Sequence, residues 1–114
     1  MKSTNQFSLW MLLAILLAVL AQPVFAASST VRGRLTRVAP NGQSFPAQGI
    51  AVTVYNPQLG RSSPAYSGPD GMYYLYNIPT GSYTLEVWAS NSPLLFQIQV
   101  YPQPYTDIAR IAVP

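Results

Sequence analysis

Residues 69–88 read PDGMYYLYNIPTGSYTLEVW, and this stretch decides the fold. Tyr73 and Leu75 fall on one side of an alternation whose other side holds Tyr74 and Tyr76. After a break, Tyr83, Leu85 and Val87 alternate with Thr84, Glu86 and Trp88. Successive side chains of a strand point to opposite faces, so this period of two predicts strands over Met72–Asn77 and Ser82–Ala89. Each would bury its first-named set. Two turns of the same chemistry precede the strands, Pro69-Asp70-Gly71 and Pro79-Thr80-Gly81. Proline presets φ, the middle residue favours a turn and glycine accepts positive φ, the pattern of a hairpin loop closed by a glycine bulge. Pairing through Pro79-Thr80-Gly81 would set Met72 opposite Trp88, Tyr74 opposite Glu86 and Tyr76 opposite Thr84 on the outer face.

The same alternation runs outward in both directions. Thr30–Val38 puts Val31, Gly33 and Leu35 on one face, with Arg32 and Arg34 on the other. Its three arginines suggest an edge strand guarded by charge. Asn41-Gly42 and Pro46 mark a loop, Ile50–Tyr55 turns Ile50, Val52 and Val54 inward, and Asn56-Pro57-Gln58-Leu59-Gly60 turns the chain. Ser62–Ser67 contains Pro64, which cannot donate to a ladder and so belongs at an edge. Leu94–Tyr101 and Thr106–Val113 complete the set, joined by the stiff Pro102-Gln103-Pro104. Short strands with closely spaced turns and no helical period predict one all-β sandwich of seven strands.

Before this module stands Lys2, a polar stretch and an apolar run, Leu9–Ala21, followed by Val24-Phe25-Ala26-Ala27. A basic start, a short apolar core and small residues at the −3 and −1 positions form a secretory signal, read here as residues 1–26 with cleavage after Ala26. The run is shorter than the roughly 20 residues a membrane span needs. With no cysteine in the chain, acylation at the cut is excluded. The expected product is residues 27–114, exported to the periplasm or beyond the cell, with no stable membrane span.

That product has five arginines, three carboxylates (Asp70, Glu86, Asp107) and no lysine. So small an excess of positive charge does not suit nucleic acid. Without cysteine it is held by packing and turn chemistry rather than disulfides, in keeping with the 49% hydrophobic content of the whole chain.

The series Val31-x-Gly33-x-Leu35, Gly49-Ile50-x-Val52-x-Val54, Ser67-x-x-Asp70-Gly71-x-Tyr73-x-Leu75 and Ile78-Pro79-x-Gly81-x-Tyr83-x-Leu85-x-Val87 resembles the carboxypeptidase regulatory-like domain. The resemblance covers Val31 to Val87 well and the last two strands loosely. It implies a transthyretin-like (prealbumin-like), carbohydrate-binding-like Greek-key β-sandwich of seven strands. Gly68 departs from it, since relatives often carry aspartate there. In such carboxypeptidases the sandwich accompanies a separate zinc-peptidase domain, which this sequence lacks. Related modules form stalks and adhesin repeats or bind starch-like sugars, and fold alone does not choose among these roles.

The side chains narrow the chemistry further. With neither histidine nor cysteine, imidazole and thiolate metal sites are excluded, as are Ser-His-Asp and Cys-His catalysis. No lysine follows residue 26, so the Lys–Asn isopeptide bond of adhesin-type relatives cannot form. Three scattered carboxylates form no glycosidase or calcium motif. No catalytic residue, metal or cofactor is expected. The remaining constellation is the outer stripe of Tyr74, Tyr76 and Trp88, able to stack on sugar rings or anchor a partner protein. Eight tyrosines in so short a chain equally serve a ladder that only stiffens the sheet. The expected function is a non-enzymatic structural or protein-interaction module meeting an envelope or extracellular protein. The alternative is a carbohydrate-binding module acting on polysaccharide.

Overall fold

In β1 (Ser28–Val38) every second side chain from Val31 to Leu35 is buried, and this strand organises one sheet. The computed structural model describes residues 27–114, and the expected signal segment, 1–26, lies outside them. The strands that follow are β2 (Ser44–Pro46), β3 (Ala51–Asn56), β4 (Gly60–Arg61), β5 (Ala65–Tyr66) and β6 (Met72–Pro79). Then come β7 (Gly81–Trp88), β8 (Leu94–Val100), β9 (Tyr105–Asp107) and β10 (Ile111–Ala112). The described residues contain no helix. They form two five-stranded sheets, β1 with β2, β6, β9 and β10, and β3 with β4, β5, β7 and β8.

All seven sequence runs carry strand, but the pieces number ten. Ser62–Ser67 keeps only β5, while β4 forms just before it at Gly60–Arg61, and Thr106–Val113 divides into β9 and β10. β2 forms where turn residues suggested only loop, by pairing antiparallel with the end of β1. β1 is central rather than an edge, with β6 and β2 antiparallel to it and β9 and β10 parallel. Arg32 and Arg34 lie on its outer face, where Arg32 meets Asp107 of β9 at 2.5 Å.

The larger correction concerns Pro79-Thr80-Gly81. β6 pairs with β1, Tyr73 facing Gly33 and Leu75 facing Val31, while β7 pairs with β3 and β8. The two strands lie in different sheets, so the turn is a step across the sandwich and not a hairpin. Thr80 alone separates them, its N–H donating to Ala27 O (3.0 Å) and so holding β6 against β1 to its end. Left-handed backbone at Asn77 (φ 55°) and Gly81 (φ 147°) flanks the step.

Pro69-Asp70-Gly71 keeps the local turn bonding expected of it, but the strands it joins, β5 and β6, also lie in different sheets, so it is no hairpin either. Gly71 N–H donates to Gly68 O, Gly68 N–H to Met72 O, and Met72 N–H to the Asp70 carboxylate (3.0 Å). Gly71 has φ 79°, and a Cβ there would lie 2.3 Å from Leu35 O, so the turn packs directly on β1. Gly68, the departure from the family pattern, closes the loop with its own backbone groups. Between the sheets Val31, Leu35, Val52, Tyr73, Leu85, Val87 and Val100 form the centre of one core, each essentially inaccessible.

Candidate functional site

The outer face of the β3–β7 sheet follows from parity. With Leu85 and Val87 inward, Thr84, Glu86 and Trp88 point outward, opposite Tyr55, Thr53 and Ala51 of β3. Register then sets Arg61 of β4 beside Tyr55 and Tyr66 of β5 beside Ala51. Six side chains thus share one face: Thr53, Tyr55, Arg61, Tyr66, Glu86 and Trp88.

A fixed ion pair lies at their centre. Glu86 is only 6% exposed although it sits on an outer face, because its neighbours close over it. Arg61 donates from Nε to Glu86 Oε1 (2.6 Å) and from Nη2 to Oε2 (3.0 Å), the two-pronged geometry that guanidinium and carboxylate share. Thr53 Oγ1 donates to Glu86 Oε1 (2.7 Å) and accepts from Trp88 Nε1 (3.0 Å), which orients the indole. The Arg61 guanidinium lies 5.5 Å from the Tyr55 ring centre and 5.9 Å from that of Trp88, within cation–π range. Glu86 is held below its ordinary carboxylate value by the Arg61 hydrogen bonds, against the upward push of burial. Half of the Arg61 side chain remains exposed, as does most of Tyr66 (66%). The arrangement is a charged, aromatic-flanked contact surface whose central groups are already locked in place, so a partner would not have to order them.

The stripe expected from sequence is divided between the two faces of the sandwich. Tyr74 and Tyr76 stand together on the outside of the β1 sheet, ring centres 6.2 Å apart and nearly parallel at 12°. Trp88 lies on the outside of the opposite sheet, because β6 and β7 do not pair. Around Tyr74, Arg32 lies in register on β1 and 3.8 Å over the Tyr105 ring. Sequence reading passed over Tyr55, Arg61 and Tyr66. The alternation of Ile50, Val52 and Val54 already turned Tyr55 outward, but nothing local signals that Arg61 folds back beside it.

Asp107 is engaged by Arg32, Glu86 by Arg61 and Thr53, and Asp70 by its own turn. Among the described residues no three acidic, histidine or cysteine side chains gather as metal ligands would. None of their helices is long and apolar enough to cross a membrane, for there are none.

No protein-family model matches the sequence, and no curated protein matches it. Among solved structures the chain is similar to a DUF3823 family protein from Bacteroides ovatus, at 20% identity over 72% of this chain and 43% of that one, with a TM-score of 0.45. It is similar to an (S)-allantoin synthase at 10% identity, over 78% of this chain and 43% of the other, with a TM-score of 0.51. A candidate carbohydrate binding protein from Pseudomonas aeruginosa matches at 12% identity, over 79% of this chain and 93% of its own, with a TM-score of 0.47. The chain thus spans 43% of the length of each of the first two. What it shares with the (S)-allantoin synthase is the fold alone, and the described residues themselves form an all-β sandwich of two sheets.

Proposed function

We propose that this chain is an exported, non-catalytic interaction module of the carboxypeptidase regulatory-like kind, which engages a partner protein through the outer face of the β3–β7 sheet. The observation that carries the reading is the locked Arg61–Glu86 pair between Tyr55 and Trp88. Arginine, tyrosine and tryptophan supply most hot spots of protein interfaces, and rigid ones lose little entropy on binding. The non-catalytic reading is supported by the lack of histidine and cysteine and by the structural engagement of all three carboxylates of residues 27–114. The export reading rests on residues 1–26.

A carbohydrate-binding role is favoured by a different feature of the same face. Tyr66, Ala51 and Trp88 form one cross-strand row, and the small Ala51 leaves the sheet low between two aromatic side chains. Such a dip suits a sugar ring.

Immobilised envelope proteins and a polysaccharide panel, probed with four variants, separate the readings. Arg61→Ala and Trp88→Ala are expected to weaken a protein contact by about 2 kcal/mol or more, while Tyr74→Ala and Tyr76→Ala leave it intact. Polysaccharide retention lost in Trp88→Ala supports the second reading. Retention lost only in the Tyr74 and Tyr76 variants overturns both.

A further inference from the structure

Edges of a sheet carry unpaired N–H and C=O groups, and folded proteins blunt them with prolines, charges, kinks or short strands. Three of the four edges here are blunted. β4 and β5 are two residues each and flank Pro64, and β9–β10 is broken and carries Asp107. β6 bends at Asn77 and ends in Pro79. The fourth edge is β8, Leu94-Leu95-Phe96-Gln97-Ile98-Gln99-Val100, with no charge, no proline and no break.

The ladder fixes which backbone groups of β8 are free. Ser62 and Ser67 N–H groups donate to Val54 O and Ile50 O, so the even residues of β3 face β4 and β5. Its odd residues therefore bond to Thr84, Glu86 and Trp88, leaving Tyr83, Leu85 and Val87 to bond to Ile98, Phe96 and Leu94. The N–H and C=O groups of Leu95, Gln97 and Gln99 consequently point away from the sheet. The two glutamine side chains fold back onto β7, Gln97 Nε2 donating to Thr84 (3.1 Å) and Gln99 Oε1 accepting from Ser82 (2.7 Å). The edge is left with bare backbone and apolar side chains, Leu95 at 60% exposed. Beneath it runs a groove of about 580 Å³ whose apolar wall is Phe96, Ile98, Ile108 and Ile111 and whose rim includes the charged Asp107 and Arg110.

We infer that this edge is covered by a second copy of the chain, β8 pairing antiparallel with β8 about a two-fold axis at Gln97. The strand is its own complement in that register. Gln97 is its midpoint, so all seven residues are used. The outward-pointing groups of Leu95, Gln97 and Gln99 meet those of Gln99, Gln97 and Leu95 of the partner subunit. On the groove side Phe96 faces Ile98 of the partner subunit, and Leu94 faces Val100 of the partner subunit. On that side apolar meets apolar, on the other the two Gln97 side chains meet and Leu95 meets Gln99 of the partner subunit, and no like charges oppose within the strand, because it has none. Pairing also joins the two β3–β7 sheets edge to edge and turns both Arg61–Trp88 surfaces to the same side. The inference is independent of what that surface binds.

Sedimentation of the purified protein tests it, with Gln97 as the lever because its exposed side chain bonds only to Thr84. Wild type is expected to sediment as a dimer. Gln97→Lys and Gln97→Glu, each setting like charges face to face, should weaken association by about tenfold or more while the circular dichroism spectrum of the folded chain stays unchanged. Mixing the two should restore a dimer. The chain has no cysteine, so Gln97→Cys adds a single thiol that should oxidise to a linked dimer, unlike Gln58→Cys on a distant turn. A wild type that stays monomeric at every concentration overturns the inference. So does a dimer that Gln97→Lys leaves intact.

Discussion

Tyr73 shows how one side chain can be central to the core and still carry an unmet cost. Its ring is fully buried and lies over Gly33, where a Cβ would come within 2.4 Å of the phenol oxygen, so β1 needs glycine at that point. The hydroxyl has no hydrogen-bond partner, and burial pushes its ionisation above the ordinary tyrosine value. An unsatisfied buried donor costs about 1–3 kcal/mol, so Tyr73→Phe should leave stability unchanged or raise it by about 1 kcal/mol in urea unfolding. A loss of stability would reveal a partner for the hydroxyl. Glu86 is the opposite case, a buried group with every need met. Its folded pKa lies below the ordinary value, so on acidification the unfolded chain takes up the proton first. Its contribution is therefore complete above the unfolded value of about 4.3 and is lost as pH falls through the lower folded one. Melting temperatures from pH 7 to pH 2 should converge for wild type and Glu86→Gln over that window, and parallel curves would contradict the assignment.

At the scale of strands, alternation predicted which side chains are buried but not which strands are neighbours. Tyr73 and Leu75 face the core from one sheet, and Tyr83, Leu85 and Val87 face the same core from the other. In a two-layer sandwich both inner faces are apolar, so two successive alternating runs look alike whether they pair side by side or oppose each other across the core. The turn chemistry of Pro79-Thr80-Gly81 favoured the hairpin, and the single-residue step at Thr80 leaves no local signature. The Asp70-Gly71 turn was legible because its bonds are local, whereas Arg61 joins Glu86 from twenty-five residues away. β1 reads as an edge in sequence for a related reason, since charge on an outer face and charge on an edge give the same string of letters. A double-mutant cycle checks the topology. Tyr74→Ala and Trp88→Ala, on opposite faces, should be additive within about 0.5 kcal/mol, whereas Thr53→Ala with Trp88→Ala should couple by about 0.5 kcal/mol or more. Coupling between Tyr74 and Trp88 of that size would restore the hairpin.

For the whole molecule, the sandwich offers two outer faces of unequal preparation. On the β1 sheet, Tyr74 and Tyr76 stack on each other and Arg32 pairs with the exposed Asp107. On the β3–β7 sheet, a buried carboxylate fixes an arginine between aromatic rings while Tyr66 stands clear of it. The second face therefore holds its arginine and aromatic side chains in place beforehand. Composition made the lack of histidine and thiol chemistry legible from the sequence, but the site arises only when β3, β4, β5 and β7 come together. The most direct measurement places a photo-crosslinking benzophenone residue at Tyr66 or at Tyr76 in cells expressing the protein. The account predicts a discrete protein adduct at Tyr66 that disappears when Arg61→Ala is added, and none at Tyr76. An adduct formed at Tyr76 alone, or one at Tyr66 that Arg61→Ala leaves unchanged, would contradict it.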